Sequence, residues 1–220
     1  ILFLKIPRSM RLFQLRNLAY SLIFILFSSC KTYRLTDVKP IPSSEKTVEN
    51  LYFSSSEDYV YKCQMDIYKN HVSGILIIKK ISETTHRVVL TSDFGNKLID
   101  FEISEDDFKL NYVLPDLDKK IVINFLRNDF QQLLKQKYPV TESFENENSK
   151  VYLSKMDKKE YYLFFNKKNN LLKQIVYTKN KKEKIDFTFD AKKHIFADSL
   201  NLQHKDFKIN IKLFQITENQ

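Results

Sequence analysis

The stretch Tyr59-Val-Tyr-Lys-Cys-Gln-Met-Asp-Ile67 decides the fold class of this chain, because its apolar and polar residues alternate from the third position onward. A period of two is typical of a β-strand with one buried face. The same alternation returns in Phe207–Ile216, where apolar residues alternate with Lys208, Asn210 and Lys212. Both ends of this part of the sequence therefore predict β-structure.

Nine further strands are predicted between these two. They are Val72–Lys80, Arg87–Ser92, Lys97–Ile103, Phe108–Val113, Lys150–Lys155, Glu160–Asn166, Leu171–Thr178, Glu183–Asp190 and Ser199–His204. Short polar turns join neighbours, and Asp93-Phe94-Gly95-Asn96 is typical of a hairpin connection. Short turns favour an antiparallel meander, and the lack of helices alternating with strands excludes a parallel α/β fold.

In one segment the spacing of apolar residues is that of a helix and not that of a strand. Apolar residues between Ile121 and Leu134 recur at helical spacing, after a start signal at Pro115-Asp-Leu-Asp118 and before Pro139. They predict a helix at about 118–137, with Asp118 or Asp116 as its N-cap. About eleven antiparallel strands and one principal helix predict a mainly β fold. We expect an open (half) β-barrel whose concave face the helix covers, and a cavity where one helix cannot fill that face.

The N-terminal charges belong to a different kind of segment. The chain has 220 residues and a formal net charge of +9, of which Lys5, Arg8, Arg11 and Arg16 contribute four charges before any acidic residue. An apolar run, Leu18–Phe27, follows them. A basic region, a short apolar run and small residues are typical of a secretory signal, predicted here at 1–29. Met10 is the expected true start; a plain N-terminal extension is the alternative.

The end of this signal, Phe27-Ser-Ser-Cys30, resembles a bacterial lipobox. The resemblance implies cleavage before Cys30 and acylation of its thiol, with chains such as palmitate, which anchor a protein without a transmembrane helix. The alternative is an ordinary secretory signal or an uncleaved anchor, with Cys30 a spare thiol. Lys31, rather than an aspartate, follows the cysteine, which in a Gram-negative lipoprotein implies the outer membrane.

The remaining chain is predicted as a polar tether at 30–58, which begins with the lipidated cysteine, and a single open β-barrel domain at 59–220. Without the four signal charges the net charge is +5, and the lysines are scattered over turns. An exported protein without lysines and arginines aligned along one helix face is not expected to bind nucleic acid.

Catalytic and metal-binding patterns are missing from the sequence. The histidines (His71, His86, His194 and His204) stand in no zinc-ligand spacing, and two glycines cannot build a phosphate-binding loop. We therefore expect no enzyme, no metal and no cofactor.

The chain resembles the Lol lipoprotein-localisation family, which comprises a periplasmic lipoprotein carrier and an outer-membrane lipoprotein receptor. Gly74-Ile-Leu-Ile-Ile-Lys-Lys80 is similar to the carrier's Gly-x-Leu-x-x-Lys-Arg strand, and the strands–helix–strands order and the final hairpin (Asp198–His204, then Phe207–Ile216) also match. Lys80-Ile81 replaces the carrier's Arg-Pro pair, which removes an arginine-based latch for the lid. The receptor uses a protruding loop with an apolar tip; Leu114–Leu117 is one candidate, although we expect it to start the helix.

The resemblance implies an apolar cavity between half-barrel and helix that holds acyl chains of lipid or lipidated protein, on a lipoprotein facing the periplasm. The expected lining residues are Met65, Ile67, Leu76, Ile78, Ile99, Phe101, Phe125, Leu133, Phe164, Ile175 and Phe187. Alternatively, these side chains pack against one another, and the protein is a structural lipoprotein that supports an envelope complex through a protein partner. A hydrolase or sugar-binding module would need a polar, carboxylate-lined cleft, which the apolar strands argue against.

Overall fold

A computed structural model describes residues 32–216 of the chain. The predicted signal peptide, the start at Met10 and Cys30 lie outside the described residues. The strands are β1 (Lys39–Ile41), β2 (Thr47–Glu49), β3 (Asp58–Ile67), β4 (Asn70–Lys80), β5 (His86–Thr91), β6 (Lys97–Ile103), β7 (Phe108–Val113), β8 (Lys137–Pro139), β9 (Glu142–Glu145), β10 (Ser149–Met156), β11 (Lys159–Asn166), β12 (Leu172–Lys179), β13 (Lys182–Asp190), β14 (Ser199–His204) and β15 (Ile209–Gln215). The helix, α1 (Lys120–Leu133), lies between β7 and β8.

Thirteen of these strands form one antiparallel sheet. Its order is β1-β9-β10-β11-β12-β13-β14-β15-β3-β4-β5-β6-β7. β1 and β7 are its two edges, so the sheet is an open half-barrel, as predicted. The predicted strands correspond to β3–β7 and β10–β15; the structure adds β1 and β9 to the same sheet and pairs β2 with β8 separately. The four added strands have only three or four residues each, too few to show a period.

The meander sends alternate turns to opposite rims of the sheet. We call the upper rim the end that carries the turns β3–β4, β5–β6, β10–β11, β12–β13 and β14–β15, together with the start of α1. The lower rim carries the turns β4–β5, β6–β7, β11–β12 and β13–β14. Each functional feature below belongs to one of these rims.

Helix α1 covers the concave face of the sheet, as predicted, through one buried stripe. Val122, Leu126, Phe130 and Leu133 lie on that stripe, four of its five buried residues. The helix is shorter than expected because Pro115–Leu117 forms a separate 3₁₀ turn and Lys119 becomes the N-cap of α1 without a side-chain hydrogen bond. Neither predicted aspartate caps it.

The predicted tether contributes to the core. Asn50 caps the C-terminal end of α1, since its Nδ2 donates to the carbonyl oxygen of Leu133 at 3.1 Å. Val48, Tyr52 and Phe53 are buried in the main hydrophobic cluster between the sheet and the helix. The folded unit therefore includes residues well before position 59.

A second, smaller cluster lies on the convex face of the sheet. Val151, Leu153, Tyr162 and Val176 form it, and the apolar side chains of Tyr33, Leu35 and Val38 cover it together with Phe144 and Phe164. The N-terminal segment thus lies across β10–β12. This explains why the strand Tyr161–Phe165 is apolar on both of its faces.

Candidate ligand site between the helix and the sheet

The structure brings most of the predicted lining residues together on the concave face. Nine of them are buried in the main cluster: Met65, Ile67, Leu76, Ile78, Ile99, Phe101, Leu133, Ile175 and Phe187. Phe125 packs at the edge of this cluster on α1, half-buried. Phe164 lies on the convex face under the N-terminal segment, because alternation within a strand that is apolar on both faces cannot tell the two faces apart. It therefore does not face the helix.

An internal plug occupies the concave face beside the helix. Tyr52 and Phe53 are 1% and 0% exposed. The Tyr52 hydroxyl donates to the carbonyl oxygen of Leu172 at 2.8 Å, and its ring lies 4.9 Å from that of Phe189. The Phe53 ring lies 5.1 Å from that of Tyr59. These two aromatic side chains, which we call the plug, fill space that neither the sheet nor α1 fills.

The plug is held in a strained backbone conformation. Phe53 has a φ of 64°, in the left-handed region, which a bulky residue without a special reason avoids. Such a residue costs on the order of 1–3 kcal/mol and persists only where its surroundings impose it. Part of the free energy gained by burying the plug is therefore offset by local strain.

A cleft of about 590 Å³ opens beside the plug at the lower rim. It lies between the end of α1 and the turns β4–β5 and β6–β7, and Ile103, Phe130 and Leu134 form its apolar floor. Its walls are charged, with Glu49, Lys80, Glu83, Glu105, Lys135 and Lys137. The volume is within the range of small-molecule sites, about 300–1,000 Å³. Sequence patterns did not predict this cleft, because it is assembled from turns that are distant in sequence.

Lys80 and His86 connect the cleft to the plug. The Lys80 ammonium lies 3.4 Å from the carbonyl oxygen of Ser54 and 3.5 Å from Oε1 of Gln136, just after the helix. His86 is buried, and its Nε2 lies 2.8 Å from the carbonyl oxygen of Phe53. Burial lowers the pKa of His86, so the neutral ring donates this bond. Lys80 thus bridges Ser54, which follows the plug, and Gln136, which follows the helix.

A buried ionisable pair also fixes α1 to the sheet. Asp129 Oδ1 lies 2.8 Å from Nε2 of His204, and both side chains are less than a tenth exposed. Burial raises the pKa of Asp129, against the opposing effect of His204. The His204 ring also packs edge-to-face on Phe125 at 5.3 Å. No described serine, threonine or cysteine hydroxyl or thiol is bonded to this pair, so it ties the helix to β14 and lacks a nucleophile.

The hairpin between β5 and β6 ends in an exposed aromatic tip. Phe94 is 94% exposed, beyond a pair formed by Asp93 and Lys62. The alternative tip, Leu114–Leu117, lies instead in the 3₁₀ turn that leads into α1. The sequence signal for Phe94 is its position in a four-residue turn, where no neighbouring strand can cover it.

Other chemistry is limited in the described region. Within residues 32–216, no three His, Cys, Asp or Glu side chains are grouped as metal ligands. No described helix is long and apolar enough to span a membrane. Cys63 is fully buried on β3, and burial raises the pKa of its thiol to about 12, which makes it a core residue.

An open antiparallel half-barrel with one helix across its concave face and a cleft at the helix end defines the class of protein. Among solved structures, a LolA superfamily protein from Nitrosomonas europaea is similar to it, with a TM-score of 0.50, 7% identity and coverage of 76% of this chain and 87% of that one. The fold is Lol-like.

Two further solved structures show weaker similarity. A DUF1329 family protein from Desulfovibrio piger has a TM-score of 0.41, 9% identity and coverage of 75% and 86% of the two chains. An outer membrane lipoprotein-sorting protein domain from Vibrio parahaemolyticus has a TM-score of 0.40, 4% identity and coverage of 73% and 83%. No protein-family model and no curated protein matches the chain.

Proposed function

We propose that this chain is a bacterial lipoprotein, anchored through Cys30, that binds acyl chains of lipid or lipidated protein without catalysis. The site is the space that Tyr52 and Phe53 fill, reached through the cleft at the lower rim. The observation that carries the proposal is the strained, aromatic plug between sheet and helix, because it supports an apolar space that the half-barrel and helix alone do not fill. The Lol-like fold supports a role in lipoprotein localisation to the outer membrane, on its periplasmic side.

Binding requires the plug to leave. An acyl chain that enters the cleft would replace Phe53 and Tyr52 against the same apolar side chains, so the exchange conserves buried apolar area. Lys80 restrains this step, because it contacts Ser54 on the plug side and Gln136 after the helix. Both contacts are long, near the outer limit for a hydrogen bond, which suits a restraint that opens.

Phe94 adds a second support. An almost completely exposed phenylalanine on a hairpin tip gains free energy by contacting hydrocarbon rather than water. On a lipid-handling protein such a tip would insert at the bilayer surface.

The lipid proposal is tested with a fluorescent palmitate analogue and two matched lysine variants. Lys80→Met removes the ammonium that bridges plug and helix but keeps the apolar stem, so we expect palmitate to enter several-fold faster. Lys79→Met is the control, since the Lys79 ammonium is exposed and pairs with Asp58 at 3.0 Å, on the other face of the strand. Saturable binding by the unchanged chain and acceleration only in Lys80→Met support the proposal; absence of binding in all three proteins refutes it.

The anchor is tested separately. Cells labelled with radioactive palmitate should yield a labelled protein, and Cys30→Ser should abolish the label. Continued labelling of Cys30→Ser would assign the acyl chain to another residue.

The alternative function is a structural lipoprotein of an envelope complex. It is favoured by one observation, the nine predicted lining residues that are buried against one another. A stoichiometric protein partner in pull-downs, with no lipid bound or displaced, would support this function instead.

A further inference from the structure

Two neighbouring turns of the upper rim form a dense basic patch. The turn between β10 and β11 carries Lys158 and Lys159, and the turn between β12 and β13 carries Lys179, Lys181 and Lys182. All five lysines are exposed. The two turns are in direct contact, since the backbone amide of Asn180 donates to the carbonyl oxygen of Lys158 at 2.8 Å. Asp157 is the one acidic residue within these turns.

The pairing register places like charges opposite one another in this patch. Lys159 is the cross-strand partner of Lys179, and Lys179 in turn is the partner of Lys182. Like charges directly opposite in a sheet are destabilising. Within residues 32–216, no carboxylate forms an ion pair with Lys158, Lys159, Lys179 or Lys181, whereas nearby Lys184 and Lys205 are paired with acidic residues. The like charges therefore cost stability, and these four lysines have no ion-pair partner within the described chain.

Tyr33, near the start of the described residues, lies beside this patch. The backbone amide of Tyr33 donates to the carbonyl oxygen of Lys181 at 2.8 Å, and the Tyr33 ring packs 4.8 Å from that of Tyr162. Tyr33 follows Cys30 by three residues in the sequence. A fully extended chain spans at most about 3.6 Å per residue, so the three-residue separation of Cys30 and Tyr33 allows a distance of at most about 11 Å along the backbone.

We propose that the basic patch docks this domain on anionic phospholipid headgroups, so that the upper rim faces the membrane. The negative potential of an anionic leaflet attracts exposed lysines within about a Debye length, on the order of 8–10 Å. A lipid anchor with a polybasic patch is a two-signal combination that holds a protein stably on a bilayer. The proposal rests on the proposed acyl anchor for its attachment and on the patch for its orientation.

This orientation has a consequence for the candidate ligand site. The cleft is lined by the turns β4–β5 and β6–β7 of the lower rim. Docking through the upper rim would turn the cleft away from the membrane that carries the anchor. A ligand would then enter from the aqueous side, as a chain delivered by a soluble carrier would.

The test measures which rim lies at the headgroups. The acylated full chain is reconstituted into vesicles of phosphatidylcholine alone or with about 30 mol % phosphatidylglycerol, an anionic lipid. A fluorophore is attached through Asn180→Cys on the upper rim or Asn170→Cys on the lower rim, and a headgroup-linked quencher is added. These two asparagines are matched, since both are exposed and their φ angles are 54° and 55°.

We expect several-fold stronger quenching at position 180 than at position 170 in the anionic vesicles only. Replacing Lys158, Lys159, Lys179 and Lys181 with glutamine should remove the difference, as should about 1 M salt. The control replaces four exposed lysines of the lower rim by glutamine and should leave the quenching difference unchanged. These lysines are Lys168, Lys173, Lys192 and Lys193. Equal quenching at both positions, or a difference that survives the first replacement, would overturn the docking proposal.

The acyl anchor is read out independently. Mass spectrometry of the same sample shows whether Cys30 carries acyl chains. If it does not, the protein that floats with the vesicles is collected and its quenching is measured at both positions. If the anchor is missing, the mass changes but position 180 is still quenched more strongly than position 170. If docking is missing, the mass of the acylated protein is found but the two positions are quenched equally.

Discussion

The two glycines of the chain should respond very differently to substitution by alanine. Gly74 is buried on β4, and a Cβ built there would lie 1.8 Å from the carbonyl oxygen of Thr91. The register between β5 and β6 shifts between Leu90 and Thr91, and this irregularity brings the carbonyl against the glycine. Because an ordinary carbon–oxygen contact is about 3.3 Å, the two strands would have to separate by about 1.5 Å.

The cost follows from this displacement. Overpacking costs about 1–3 kcal/mol, and loss of one hydrogen bond between β4 and β5 adds about 1 kcal/mol. We expect Gly74→Ala to lose about 3 kcal/mol of the free energy of unfolding. In urea, with a slope of about 2 kcal/mol/M, the midpoint would fall by about 1.5 M.

Gly95→Ala is the matched control. Gly95 has a φ of 83°, and nothing lies within 4 Å of a Cβ built there. Its substitution costs only the strain of a left-handed conformation, about 1 kcal/mol. If the urea midpoint of Gly74→Ala fell no further than that of Gly95→Ala, the close approach of Thr91 would not constrain the fold, and the reasoning would fail.

Four further substitutions test the buried polar groups. Asp129→Ala removes the partner of a buried histidine and should cost about 3 kcal/mol by calorimetry; an unchanged melting temperature would show that the pair does not hold the helix. Tyr138→Phe should be neutral or stabilising, because this hydroxyl has no hydrogen-bond partner among the described residues, whereas Tyr61→Phe loses a 2.9 Å bond and about 1 kcal/mol. The reverse ranking in thermal melts would contradict this assignment. Hydrogen bonds from a neighbouring arginine hold the pKa of Asp100 well below its usual range, so its ionised form stabilises the fold above about pH 4 and that contribution is lost as pH falls. Asp100→Asn should therefore flatten the loss of stability on the acid side in urea titrations, and an unchanged pH profile would count against it.

The helix and strands such as β3 were predictable because the spacing of their apolar residues marks one buried face. The alternation in Tyr59–Ile67 reappears as β3, where every second residue from Tyr59 is buried. The short strands were not predictable, because their pairing partners supply the structure: β1 pairs with β9 and β2 with β8 across about a hundred residues of sequence. Two of them also contain proline, which is unusual within a strand.

The candidate site was predicted only in part. The concave-face residues follow from alternation, but Tyr52 and Phe53 are isolated aromatic residues in a polar segment, and no period marks them as buried. The cleft depends on Lys80, His86 and Lys135, which come from elements that only the folded sheet brings together. Phe164 shows the limit of alternation, since both faces of its strand are covered.

The pairing of β15 with β3 bears on how this chain folds as it is made. β3 is the first long strand in the sequence, yet its second neighbour in the sheet is β15, some 150 residues later. Contacts between such distant segments form slowly, because loop closure must precede them. Until β15 is available, β3 and β14 each present an unpaired edge that invites association with other chains. A ribosome or a secretion channel that releases the chain from its N-terminus therefore delivers β15 last, although β15 is the strand that joins β14 to β3. A holding chaperone would be of most use before β15 is released.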